Sequence, residues 1–188
     1  MEIILASNSS FRKKALDILG LKYKVIPSNF DEQSIRDDNP IQLAKKLSEA
    51  KAKEVGNQNQ DAVIIASDLF VVFNNKIYEK PADKKEAFEM LKSFSDNKID
   101  IIAGIAVYNL SNKKMLSSAE KYTVKFRELT EYEINDYIER YPVLNVSGAF
   151  ETDGLIRFAE SSEGKYPFVT ALPMDSLIYF LRDNSILV

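Results

Sequence analysis

The chain has 188 residues, 45% hydrophobic and 28% charged, which suits one globular domain or two small lobes sharing a core. Histidine and cysteine are both absent, which excludes Ser–His–Asp and Cys–His catalysis, disulfides and zinc held by either residue. The formal net charge of −3 argues against a broad nucleic-acid footprint, and no apolar run approaches the ~20 residues of a membrane span.

Residues 3–6 form a short apolar run, enough for one buried strand. Ser7-Asn8-Ser9-Ser10 reads as a polar turn. A helix then places Phe11, Ala15, Ile18 and Leu19 on one face, with Gly20 as its stop. Arg12, Lys13 and Lys14 fall in the first turn, where the helix dipole disfavours cations. A bound anion reverses that sign, because a helix start offers unpaired N–H groups. The alternative is serine caps followed by solvated basic residues.

Residues 23–27 read as a second strand and 29–39 as a polar loop carrying Asp31 and Glu32. Asn39-Pro40 opens a helix to about residue 55, with Ala44, Leu47, Ser48, Lys51 and Val55 on one stripe. Lys51 therefore either snorkels outward or meets an anion. Residues 62–73 form the most apolar segment and read as a strand, interrupted by Ser67-Asp68. That carboxylate marks either a surface bulge or a cleft at a strand end.

Asn74-Asn75 suits a hairpin turn back through Ile77-Tyr78. A helix is expected over 83–95, then long strands over 99–110 and 115–129 as an antiparallel ribbon. Thr130 with Glu133 fits a capping box opening a helix that buries Ile134, Tyr137 and Ile138. Residues 146–168 read as loops and short strands, Pro173 as a helix start, and 186–188 as a last strand fragment. The mixture predicts an α/β (α+β mixed) fold around a mixed sheet.

In order along the whole chain, Leu5-Ala6-Ser7-Asn8-Ser9-Ser10-Phe11-Arg12, Asp31-Glu32, Lys51-Ala52, Ala66-Ser67-Asp68 and Lys80-Pro81 resemble the Maf family of nucleoside triphosphate pyrophosphatases. Phe126-Arg127-Glu128-Leu129-Thr130, Gly148-Ala149-Phe150 and Leu172-Pro173 extend the resemblance to the C-terminal part. It implies an inosine triphosphate pyrophosphatase-like fold: an elongated mixed β-sheet flanked by helices, with two lobes around a central cleft, formed by residues 1–188 as a single Maf-like domain.

The implied reaction is hydrolysis of an NTP to NMP and pyrophosphate with a divalent cation, Mg2+ or Mn2+. The resemblance carries over roles residue by residue. Asp68 takes the general-base position. Ser7, Ser9 and Arg12 hold the phosphates, and Lys51 and Lys80 neutralise the triphosphate. Glu32 positions the metal or the water, so Glu32 and Asp68 are the candidate metal ligands. Phosphoryl chemistry asks for such placement and charge, with little covalent work by the protein.

The chain departs from the family pattern at Ser10, Glu79, Ala103 and Ile156. Three positions linked to base choice hold Phe11, Leu69 and Asp153. Phe11 and Asp153 suit a cationic methylated purine such as 7-methyl-GTP, through charge and cation–π attraction. Leu69 fits neither of the family's two branches, and Phe11 also has a plain packing role. The resemblance further implies a cytoplasmic protein acting on a small-molecule nucleotide, with no membrane or stable nucleic-acid binding, and allows a homodimer. The alternative is a non-catalytic nucleotide-binding regulator on the same fold.

Overall fold

The computed structural model describes residues 1–59, 61–164 and 171–188, the side chains of Thr152 and Asp153 aside. In chain order the elements are β1 (Glu2–Leu5), α1 (Ser10–Ile18), β2 (Lys24–Val25), α2 (Pro40–Gly56), β3 (Ala62–Phe73), β4 (Lys76–Tyr78) and α3 (Lys84–Phe94). There follow β5 (Lys98–Asn109), β6 (Lys114–Phe126), α4 (Glu131–Arg140), α5 (Thr152–Phe158), β7 (Ala159–Glu163) and α6 (Met174–Asp183).

The strands form a seven-stranded sheet in the order β2-β1-β3-β5-β6-β7, with β4 beside β3. β1 runs parallel to β2 and β3, whereas β4 is antiparallel to β3 and β7 antiparallel to β6. This is the expected mixed α/β sheet.

The chain divides into two compact units, Met1–Asp68 with Ala103–Glu120 and Val169–Val188, and Leu69–Ile102 with Lys121–Phe168. In the first unit, alternation along the strands separates two apolar layers. Ile3, Leu5, Val63 and Ile65 meet Leu16 of α1 and Leu177 and Leu181 of α6. Ile4, Ala6, Ile64 and Ala66 meet Ala52 and Val55 of α2. Covering both faces explains why β3 reads as a continuous apolar run rather than an alternating one. Asn39 caps α2 by accepting from the Ile41 and Gln42 amides, as its sequence signal required.

In the second unit, Phe94 and Phe150 each lie edge-to-face with Phe126, and Phe158 packs tilted against it. Asn74 and Asn75 take φ of 49° and 60° in the tight turn joining β3 to β4, as the hairpin reading anticipated. The Thr130–Glu133 capping box is fully formed.

Several boundaries differ from the sequence reading. The face of α1 is rotated: Ala15 and Leu16 are buried and Leu19 packs against the same core, while Ile18 falls on the outer side of the helix and is 61% exposed. The second strand shrinks to two residues. The expected strand at 186–188 does not form; Ile186 and Val188 instead pack against the core as irregular chain. The region read as loops contains the helix α5, whose Gly154 lies so close to Tyr137 that a Cβ there would sit 2.3 Å from the phenol oxygen. Among the described residues no helix is long and apolar enough to cross a membrane.

Candidate active site

β3 carries Asp68 into the first unit on the side that Ile64 and Ala66 share, facing α2. The strand is continuous from Ala62 to Phe73 and Asp68 is buried within it, so Asp68 is neither at the surface nor at a strand end. It sits past Ile65, the last β3 residue in register with β1, and its side chain is almost completely enclosed. Burying a carboxylate is costly unless it is paired.

The partner is Lys51 on the buried stripe of α2. Its ammonium donates to Asp68 Oδ1 at 2.5 Å and lies 2.7 Å from Glu32 Oε1. Lys51 therefore does not snorkel to solvent. Its charge is met within the protein by two carboxylates, one buried and one 58% exposed. Asp68 Oδ2 has no hydrogen-bond partner among the described residues, so one oxygen of the carboxylate remains open.

Glu32 begins a single 3-10 turn, Glu32–Ser34, inside the loop after β2. Asp31 fixes that turn by accepting from the Gln33 amide at 3.0 Å. Thus the adjacent acids have separate jobs: Asp31 shapes the backbone and Glu32 reaches Lys51.

A second group gathers at the start of α1. Ser9 is the N-cap and accepts from the Arg12 amide at 3.4 Å. Ser7 Oγ accepts from the Ser9 amide and from Arg12 Nη1, each at 3.2 Å. Both lone pairs of that hydroxyl are thereby occupied, which leaves its proton to be donated elsewhere. Arg12 Nε is buried with no hydrogen-bond partner among the described residues. Burial pushes the Arg12 guanidinium below its ordinary value, and the Asp68 and Glu32 carboxylates pull it back up. A helix start, an under-satisfied guanidinium and a free hydroxyl proton are the kinds of donor that an anion accepts from.

Ser7, Ser9, Arg12, Glu32, Lys51 and Asp68 all belong to the first unit, as does the half-buried Phe11. Leu69 and Lys80 belong to the second unit. Leu69 is half-buried and its carbonyl accepts from Ser147 Oγ at 3.2 Å. Lys80 is exposed in the segment after β4, between Glu79, whose carbonyl accepts from the Gly148 amide, and buried Pro81. Gly148 has φ of 72°, and a Cβ there would lie 2.6 Å from Val71 Cγ2. The Asp153 side chain lies outside the described residues.

Glu32 and Asp68 converge on one position, filled by the Lys51 ammonium. No group of three or more acidic, histidine or cysteine side chains is arranged for a metal among the described residues. Two carboxylates still fit Mg2+, which characteristically takes one or two from protein and completes its shell with phosphates and water.

Sequence reasoning passed over Ser48. Its hydroxyl accepts from the Asp68 amide at 3.0 Å and donates to the Ala44 carbonyl at 2.7 Å. The available signal was a serine on the apolar stripe of α2, one turn from Lys51.

Residues 2–184 match the family described as Maf-like protein. The chain is 34% identical over 187 residues to a 7-methyl-GTP pyrophosphatase of Aliivibrio fischeri, covering 98% of this chain and 97% of that one. It is equally 34% identical over 188 residues to a dTTP/UTP pyrophosphatase of Aquifex aeolicus, covering 100% and 97% respectively. Among solved structures it is similar to the Staphylococcus aureus Ham1 protein, with a TM-score of 0.52 and 14% identity over 98% of this chain and 100% of that one. At that identity the likeness concerns the fold alone.

Proposed function

The chain belongs to the Maf-like family, and from that premise we propose that it hydrolyses a nucleoside triphosphate to the monophosphate and pyrophosphate. The observation that carries the reading is the enclosed Asp68 carboxylate, held through Oδ1 by Lys51 with Oδ2 left open. Asp68 Oδ2 takes a proton from the attacking water as oxygen bonds to the α-phosphorus and the bond to the bridging oxygen breaks. Pyrophosphate leaves with the electron pair of that bond.

The remaining residues act by charge and placement. Ser7 and Ser9 with Arg12 receive phosphate oxygens at the start of α1. Lys51 and Lys80 offset the negative charge that builds on the leaving group. Glu32 and Asp68 are the residues that would hold a divalent cation. When bound, such an ion polarises phosphoryl oxygens and orients the water. Lys51 already balances both carboxylates, so the pair persists without a second cation until the anionic substrate arrives.

Relatives of similar identity carry names for different bases, so the base preference has to come from this chain's own residues. We assign it to a methylated, cationic purine, on the aromatic Phe11 and the acidic Asp153. The enzyme so read works in the cytoplasm on a small-molecule nucleotide. A pyrophosphate-release screen over canonical, methylated and deaminated NTPs with Mg2+ or Mn2+ tests both levels. Turnover of 7-methyl-GTP above dTTP and UTP is expected. Turnover of dTTP or UTP instead removes the base assignment. Thermal stabilisation by nucleotides without any hydrolysis removes the enzyme and leaves a nucleotide-binding regulator.

A further inference from the structure

We propose that Ser48 is a positioning residue for the proposed reaction, holding the Asp68 backbone against α2 so that Asp68 and Lys51 stay in register. This rests on the reading of Asp68 and Lys51 given above.

Ser48 is fully buried, and its hydroxyl serves both neighbours at once, accepting the Asp68 N–H at 3.0 Å and donating to the Ala44 carbonyl at 2.7 Å. A strand amide ordinarily bonds to a neighbouring strand. Here it bonds to a side chain on a helix, which couples the catalytic carboxylate's own residue to α2. Lys51 follows Ser48 by three positions, so both project from one helix face onto β3. The hydroxyl fixes the Asp68 backbone while the ammonium fixes its carboxylate, giving two attachment points to one rigid helix.

The packing around Ser48 is arranged for that approach. A Cβ on Gly104 would fall 2.3 Å from the Ala44 carbonyl oxygen and 2.7 Å from Ser48 Oγ, so only glycine in β5 lets this turn of α2 come so close. The contrast within β3 is Ser67, also buried and adjacent to Asp68, whose hydroxyl has no hydrogen-bond partner among the described residues. One buried hydroxyl beside Asp68 is bonded to it and the other is not.

Ser48→Ala removes the hydroxyl while keeping a good helix former, and Ser67→Ala removes the same group without touching the Asp68 amide. Amide hydrogen exchange, read residue by residue by NMR, is the test that does not require turnover. In Ser48→Ala the Asp68 amide should exchange at least about ten-fold faster than in the unmodified protein, with Ile64 and Ile65 unchanged. In Ser67→Ala it should be unchanged. Steady-state kinetics on the best NTP should then show kcat lowered about ten-fold in Ser48→Ala with KM within about two-fold.

Equal Asp68 protection in Ser48→Ala and the unmodified protein overturns the coupling, as does an equal loss in both variants. Loss of protection with kcat unchanged overturns the positioning role. Absence of turnover in the unmodified protein overturns the pyrophosphatase reading instead, and the exchange result still decides the coupling.

Discussion

Replacing Lys51 by methionine removes one cation from between two carboxylates and keeps the length of the side chain. At an effective dielectric of about 20, charges 2.5 Å apart attract by roughly 6–7 kcal/mol, and desolvation of the two ions offsets most of that. The intact pair is therefore close to neutral for stability. Removing one member is not, because Asp68 stays enclosed without its ion-pair partner, which costs about 3–5 kcal/mol. The exposed Glu32 adds at most about 1 kcal/mol. For a chain of this length each kcal/mol lowers Tm by about 2–4 °C, so Lys51→Met should melt roughly 6–20 °C lower. Adding Asp68→Asn should restore most of the loss, since both charges then leave together. Urea unfolding of both single variants and the double variant measures the coupling directly. A Lys51→Met loss under about 0.5 kcal/mol, or a double variant no more stable than Lys51→Met alone, would refute the argument.

Gly104→Ala should destabilise by about 1–3 kcal/mol in chemical unfolding, because its Cβ would overlap the Ala44 carbonyl rather than a yielding side chain. Thr130→Ala should cost about 1 kcal/mol through loss of the N-cap of α4. Arg127 and then Thr130 hold Glu133 down at about 2. A depressed carboxylate stabilises above its unfolded value and loses that contribution as pH falls through its folded one. The stability gap between the unmodified protein and Glu133→Gln, followed by urea unfolding, should therefore narrow as pH drops from about 5 toward about 2.

The layered fold was legible where chemistry is local. Asn39-Pro40, Thr130 with Glu133 and Asn74-Asn75 each name a cap or turn that forms as read. The apolar run of β3 named a strand but not its path through Asp68, because the continuity of a strand depends on what packs on both faces. α5 escaped notice because it has seven residues and contains Gly154, a poor helix former retained for its closeness to Tyr137.

The site residues were named through motifs, yet how they join was not visible. The bridge from Lys51 to Glu32 crosses from α2 to a separate 3-10 turn, and the Ser48–Asp68 bond spans 20 residues. Both follow from how α2 lies on the sheet. The division of labour between Asp31 and Glu32 is likewise a matter of backbone geometry that two adjacent acids in a sequence do not reveal.

The central claim is that the enclosed carboxylate of Asp68 does the chemistry. Asp68→Asn keeps its size and its backbone bond to Ser48 while removing its ability to take a proton. Pyrophosphate release by this variant, measured on the NTP the unmodified protein turns over fastest, should fall at least about a hundred-fold with nucleotide binding retained. Unchanged release from a folded Asp68→Asn protein would contradict the account.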